Sequence, residues 1–147
     1  MLELFIKTFN ELNTEELYSI LQLRSEVFVV EQDCVYQDMD GKDRKALHVF
    51  GKKNGKIVAY TRVFAPGDYF KEASIGRVVV EKEERKYGYG VQIMEASIQA
   101  VFDKLKETNI RLSAQTYLKK FYCGLGFIAT GEPYLEDGIP HIAMVKK

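Results

Sequence analysis

Residues Glu84–Gly90 read Glu-Arg-Lys-Tyr-Gly-Tyr-Gly. They put two basic side chains and two glycines between an apolar run, "ASIGRVVV", and an amphipathic one, "VQIMEASIQAVFDKL". These types at this spacing suit an anion. The first N–H groups of a helix have no intrahelical acceptor, and the helix dipole adds positive potential there. Gly88 and Gly90 let the backbone approach a ligand closely. Arg85 and Lys86 add charge, and the whole can hold a phosphate or pyrophosphate. Two other phosphate-binding glycine patterns do not fit. No Gly-Lys-Ser/Thr follows, and the third glycine of the dinucleotide fingerprint would fall at Ile93, with no βαβ unit around it. Taken alone, a flexible turn before a frayed helix start explains the loop equally well.

Other residues with chemical capacity are few. His48 in "ALHVF" and His141 in "GIPHIAM" are the only histidines, and only histidine titrates near neutrality without perturbation. Each either faces a cleft or is a satisfied structural residue. The stretch "VFVVEQDCVYQDMD" offers Phe28 and Tyr36 beside Glu31, Asp33, Asp38 and Asp40. Acids beside aromatic surface suit a cationic amine, although Val27, Phe28 and Val30 also read as core and the acids as solvated. "DMDGKD" echoes a calcium loop through Asp38, Asp40 and Asp43. The glutamate such a loop needs at its twelfth position is Val49, so no metal is expected. Cys34 and Cys123 belong to no Cys-His-acid grouping and are read as idle thiols.

The elements that must position these residues follow from periodicity. "LELFIKTF" alternates as a strand. Thr14 followed by Glu15 and Glu16 reads as a helix start, with Thr14 as cap, and the helix runs through "EELYSILQLRSEVFV". Residues 31–44 are loop. Asn54-Gly55 marks a hairpin within "ALHVFGKKNGKIVAYTRVFAPGD", and "ASIGRVVV" is a third strand. A helix from about Gly88 to Lys106 presents Val91, Met94, Ile98, Val101, Phe102 and Leu105 on one face. "IRLSAQ" is a strand, "TYLKKFYCGL" a short helix, and "GFIATGEPYLEDGIPHIAMV" a strand pair with a long connection. The order β-α-β-β-β-α-β-α-β-β predicts an α/β (α+β) chain with a mixed, mostly antiparallel sheet flanked by helices, not a doubly wound fold.

Composition narrows the class. The chain has 147 residues, 46% apolar and 29% charged, as expected for one folded domain spanning 1–147. Acidic and basic residues balance at 21 each, which argues against a general nucleic-acid binder. The N-terminus has no signal-peptide pattern, and no apolar run nears the roughly 20 residues of a membrane span. Two cysteines make a poor disulfide framework, and the cytoplasm is the expected compartment.

Arg85–Gly90 fits Arg/Gln-x-x-Gly-x-Gly/Ala, the pyrophosphate-loop motif of the GNAT acetyltransferases. Downstream, "FYCGLGF" fits that family's Phe-Tyr-x-x-x-Gly-Phe. "LRSEVFVVEQDCVYQDMD", "IGRVVV" and "EDGIPHIAM" resemble the narrower ElaA-like group. In order and at suitable spacing, these motifs make the chain resemble that superfamily over nearly its whole length.

The resemblance implies an N-acetyltransferase that moves an acetyl group from acetyl-CoA directly to an amine, without a metal. Val78, Val79 and Val80 would align the pantetheine arm through their backbone. Arg85, Lys86, Tyr87, Gly88, Tyr89 and Gly90 would hold the pyrophosphate. Gln115 stands where many members have an asparagine touching the cofactor arm; it either makes a similar contact or closes a strand. Tyr122 stands where the family places a proton donor to the leaving thiolate. A phenol, with a pKa of roughly 10, keeps its proton at neutral pH, whereas a thiol titrates at roughly 8.5. Its plain alternative is core packing.

Glu81, directly after "VVV", is the positional candidate for a base, although "EKEER" also reads as a solvated run. His141 is the other candidate, and attack by an already neutral amine needs no base. Acceptor recognition is expected from Phe28, Glu31, Tyr36, His48 and His141, where the first helix and its loop meet the final strand pair. The acceptor is a small-molecule or peptide amine, and a homodimer is ordinary in this family. A non-catalytic acyl-CoA-binding module would need the same loop.

Overall fold

Asn54 and Gly55 both adopt positive φ, 53° and 80°, and close a two-residue turn between β2 (Leu47–Lys53) and β3 (Lys56–Phe64). Such turns match the right-handed twist of the strands they join. The hairpin is the centre of one half of a seven-stranded sheet in the computed structural model, which describes residues 2–147. β1 (Glu3–Thr8) adds to β2 and β4 (Ala73–Val80) to β3, both antiparallel. β5 (Ile110–Gln115) runs parallel to β4. β7 (Ile139–Lys146) and β6 (Ile128–Glu136) complete the order β1-β2-β3-β4-β5-β7-β6. The architecture is the expected mixed, mostly antiparallel sheet with helices, in the expected order of elements.

One helix covers each face. α1 (Thr14–Arg24) packs Ile20 and Leu23 against Phe50, Ile57 and Tyr60. α2 (Tyr89–Leu105) packs Ile93, Met94 and Val101 against Val49, Val63, Ile75 and Leu112. α3 (Lys119–Cys123) is a short helix following β5. Alternation along β3 sends Tyr60, Arg62 and Phe64 to the α1 side and Ala59, Thr61 and Val63 to the α2 side, so both faces are buried.

Three local expectations change. The cap of α1 is Asn13, not Thr14: its Oδ1 accepts from the Glu16 amide at 2.7 Å, and Glu16 Oε1 accepts from the Asn13 amide at 3.0 Å. The Asn-x-x-Glu spacing makes a reciprocal box one residue earlier. The buried face of α2 is Tyr89, Ile93, Met94, Ser97, Ala100 and Val101, while Val91 and Phe102 are 41% and 57% exposed. The other four expected residues hold: Met94 and Val101 are in the core, and Ile98 and Leu105 pack against it. Ser97 adds a bond to Thr61 across the contact.

Finally, β6 and β7 are joined by a two-residue turn at Asp137 (φ 52°) and Gly138 (φ 76°), not by a long connection. Gly131 and Pro133 read as loop but lie within β6, where a register shift between Thr130 and Tyr134 absorbs them. β6 is a sheet edge, where a proline need not break the ladder.

The feature that positions the site is a defect in the sheet. Opposite Tyr60 and Arg62, β4 carries one residue more than β3 between Gly76 and Val79, a bulge in which Arg77 takes φ 48°. β4 and β5 pair only at Ala73–Ile110 and Ser74–Arg111, then part.

Candidate active site

Where β4 and β5 separate, the backbone of β4 beyond Ser74 has no strand partner on the β5 side. Buried backbone groups seldom stay unpaired, so an extended ligand with amides of its own can add here as a strand would. Two cavities open along this gap and share the walls Phe28, Gln32, Val78, Gln115, Leu118 and Tyr122. They form one cleft with two halves, and Tyr122 stands at the junction.

The larger half, about 440 Å³, runs along Val78, Val79 and Val80 to Arg85, Gly88 and Gly90. Lys82–Tyr87 forms a 3-10 turn, Gly88 takes φ 74°, and α2 begins with no side chain capping it. A Cβ built on Gly88 would meet no atom within 4 Å, so space lies open where the chain turns into the helix. An unpaired strand edge, apolar walls and an uncapped helix start behind a glycine fit the amides, arm and pyrophosphate of a CoA molecule.

Arg85 is on this wall as expected. It is held there by Glu31, with Nη1 and Nη2 donating to the two carboxylate oxygens at 2.7 and 2.9 Å, while Nε donates to the Val80 carbonyl at 3.0 Å. Glu31 thus lines the larger half beside Arg85, not the smaller half where it was expected. Lys86 does not line the cleft; its ammonium lies 5.4 Å from the Tyr87 ring, and Lys53 approaches the same ring to 4.1 Å. Tyr89 points into the core, so only its backbone is at the helix start.

The smaller half brings together the segments expected to converge. Phe28, Cys34 and Tyr36 face Glu136, Asp137 and His141. His141 Nδ1 lies 2.7 Å from the Ile139 carbonyl, which can only accept, so Nδ1 carries the hydrogen and Nε2 is left as an acceptor. Glu136 Oε2 is 3.6 Å from that Nε2, and the Tyr134 ring stacks on the imidazole. Tyr36 donates to Asp38 Oδ1 at 3.1 Å. Gln115 is paired with His141 across β5 and β7 and lines both halves. Tyr122 is 5% exposed and lines both halves. Burial pushes its phenol well above the usual tyrosine range, so it is protonated at any working pH.

Two expected residues are elsewhere. His48 is 1% exposed and lines neither half; its Nε2–H donates to the Asp43 carbonyl at 2.9 Å, and Nδ1 accepts from the Tyr60 hydroxyl at 2.6 Å. It is a satisfied structural histidine. Glu81 turns outward to Lys56, 2.8 Å away, and borders neither half, although it follows "VVV" directly. Glu81 lies just past the last residue of β4, where Lys56 at the start of β3 draws it away from the gap.

The sequence reading missed the basic side of the acceptor end. Asp38, Asp40 and Asp43 are gripped by Arg24, Arg62 and Arg77, with nine hydrogen bonds or ion contacts between 2.7 and 3.6 Å. This lattice pins the loop after α1 onto β3 and β4. Arg24 and Arg62 sit in runs that read simply as helix and strand. Only their isolation as cations among apolar neighbours could have flagged them.

A divided sheet edge leading from an uncapped helix start to a buried tyrosine defines a cleft of the GNAT acyltransferase type. The acetyltransferase (GNAT) domain profile matches residues 10–147, and the chain belongs to that family. Protein ElaA of Escherichia coli is 41% identical over 140 residues, which cover 94% of this chain and 92% of ElaA. The solved structure of E. coli ElaA has a TM-score of 0.93 at 40% identity, with both chains fully covered. That of an acyl-CoA N-acyltransferase from Pseudomonas aeruginosa has a TM-score of 0.93 at 42% identity, again with both chains fully covered.

Proposed function

We propose that residues 1–147 form one cytoplasmic N-acetyltransferase domain that passes an acetyl group from acetyl-CoA to an amine directly, both substrates being bound together. The observation that carries this is Tyr122, buried at the seam between a CoA-shaped half-cleft and a polar one. When bound, the co-substrate supplies an activated acyl thioester. The β4 edge from Val78 to Val80 and the Gly88 turn hold and orient it. Gln115, at the same seam, is placed to steady the arm.

The residues of the polar half manage protons. An incoming ammonium must become a neutral amine before its lone pair can attack. Glu136 and Asp137 attract the cation, and His141 Nε2, its tautomer fixed by the Ile139 carbonyl, accepts the proton. Glu136 then faces an imidazolium. As the new C–N bond forms and the C–S bond breaks, Tyr122 donates its phenolic proton to the departing sulfur, and the proton that the attacking nitrogen still has to lose restores the phenol. Apolar walls at Phe28 and Leu118 keep water from competing.

The test is CoA release, followed with a thiol reagent across a panel of amines. Release should depend on the amine, and kcat/KM should rise with pH toward the pKa of the amine or the base. Tyr122→Phe keeps the ring and removes the donor. It should lower kcat by about 10²–10⁴ with CoA affinity nearly unchanged. CoA binding without amine-dependent release would make the protein a binding module instead.

A further inference from the structure

Beside the acceptor half lies a small side chamber of about 60 Å³, several times the space one water needs. The two share the wall Ile75, Gly76, Arg77, Ser113 and Glu136. Two side-chain atoms among the described residues are buried with no hydrogen-bond partner, Arg62 Nε and Ser74 Oγ. Both residues line this chamber, 1% and 2% exposed. Their coincidence has a cause in the register: Arg62 pairs with Gly76 and Phe64 with Ser74, so all four project from the same face of β3 and β4.

We infer that the acylated amine also carries a carboxylate, and that Arg62, Ser74 and Arg77 receive that carboxylate in the side chamber. This rests on the transferase reading above. An unpaired buried donor is costly, and a native site keeps one where a ligand completes it. Arg62 spends both terminal nitrogens on Asp40 and Asp43, which fixes the guanidinium and leaves Nε as its one nitrogen without a partner. Arg77 is fixed likewise, with Nε and Nη2 on Asp38, leaving Nη1. Guanidinium donors have no acceptor capacity, and an ionised carboxylate has only acceptors.

The far wall is Phe64, Tyr69 and Phe70. The Arg62 guanidinium lies 4.9 Å from the Phe64 centroid, so the donors work in a poorly hydrated setting where charge-assisted bonds gain strength. Glu136, on the shared wall beside His141, faces the position of the amine. Opposite charges at the two ends match a zwitterion. Glycine at position 76 keeps the passage open, since a Cβ there would meet no atom within 4 Å.

The experiment uses ω-amino acids from glycine to 6-aminohexanoate, each paired with the alkylamine of the same length, and reads the ratio of their kcat/KM values in CoA release. At one chain length the amino acid should be preferred at least tenfold, as expected for a charge-assisted bond. Ser74→Ala removes one donor at almost constant volume, and Gly76→Val fills the passage. Both should cut that ratio severalfold, while calorimetry shows wild-type CoA affinity.

No preference at any length overturns the inference, as does a preference that both variants retain. Should Gly76→Val not fold, Ser74→Ala decides alone. If CoA binds but no amine is acylated, the transferase reading fails separately. The subsite is then judged by calorimetric titration of the same amino acids into the CoA-bound protein. Binding weakened by Ser74→Ala sustains it, and absent binding overturns it.

Discussion

Glu31 shows how far a single residue can stand from its expected role. Its sequence neighbours placed it with the acceptor. In the fold its carboxylate grips Arg85 at the phosphate end of the cleft, through two bonds. A pyrophosphate arriving there competes with Glu31 for the same guanidinium. Both side chains remain substantially exposed, so the pair itself is worth only about 0–1 kcal/mol. Glu31→Gln should therefore tighten CoA binding by up to about fivefold and leave the KM for the amine essentially unaltered. Calorimetry with CoA and an amine titration at saturating acetyl-CoA separate the two effects. A raised amine KM with unchanged CoA affinity would return Glu31 to the acceptor site. His48 carries the complementary lesson: a histidine with both nitrogens bonded by its own fold has no capacity left for a substrate.

At the scale of elements, the cleft depends on two departures from regularity. The bulge at Arg77 and the parting of β4 from β5 open the sheet; the Gly88 turn aims the start of α2 at the opening. Gly88 holds φ 74°, a region in which a β-branched residue is strained by about 1–3 kcal/mol. Gly88→Val should move the backbone at the helix start and lower CoA affinity at least tenfold, read by calorimetry on protein shown to be folded by circular dichroism. Wild-type CoA affinity in that variant would remove the turn from the phosphate site. The glycine turn was legible because a junction between strand and helix that needs positive φ favours glycine, and Gly88 takes it. The bulge was not, because "IGRVVV" reads as uninterrupted strand and only pairing with β3 reveals the extra residue.

For the whole molecule, acid stability should report the lattice that anchors the loop after α1. Burial tends to raise Asp40, but bonds from Arg62 and the Lys42 amide outweigh it and hold the carboxyl down at about 2. Asp43 is lowered in the same way, burial being outweighed by bonds from Arg24 and Arg62. His48 is lowered chiefly by burial. In all three the folded pKa lies below the unfolded one. The unfolded chain then binds more protons between the two values, and stability falls as pH falls. The histidine contribution begins to be lost near pH 6.5 and the aspartate contributions from about pH 4 downward. The urea midpoint should thus be level above about pH 7, decline gently below 6.5 and fall steeply below 4. His48→Gln should abolish the gentle first step. A midpoint that stays level from pH 7 to 4 in the unaltered protein would show that His48 is not held neutral by the fold.

The sequence by itself determined the order of elements, the Asn54-Gly55 hairpin, the mostly antiparallel sheet and the glycine turn into α2. Each is written in local spacing: period two in strands, a turn pair with positive φ, glycines at a helix start. It also determined that the loop after the first helix and the last strand pair would share a pocket, because the family motifs occur in both. Tertiary structure alone decided which charged residues meet. Arg24, Arg62 and Arg77 lie 38 and 15 positions apart in the chain and converge on three aspartates only because α1, β3 and β4 stack there. It alone decided that Glu81 pairs with Lys56, that Glu31 pairs with Arg85, and that Arg62 Nε and Ser74 Oγ are buried without a partner. These are facts of register and burial, set by which residue lies opposite which across a sheet, and no spacing along a single strand encodes them.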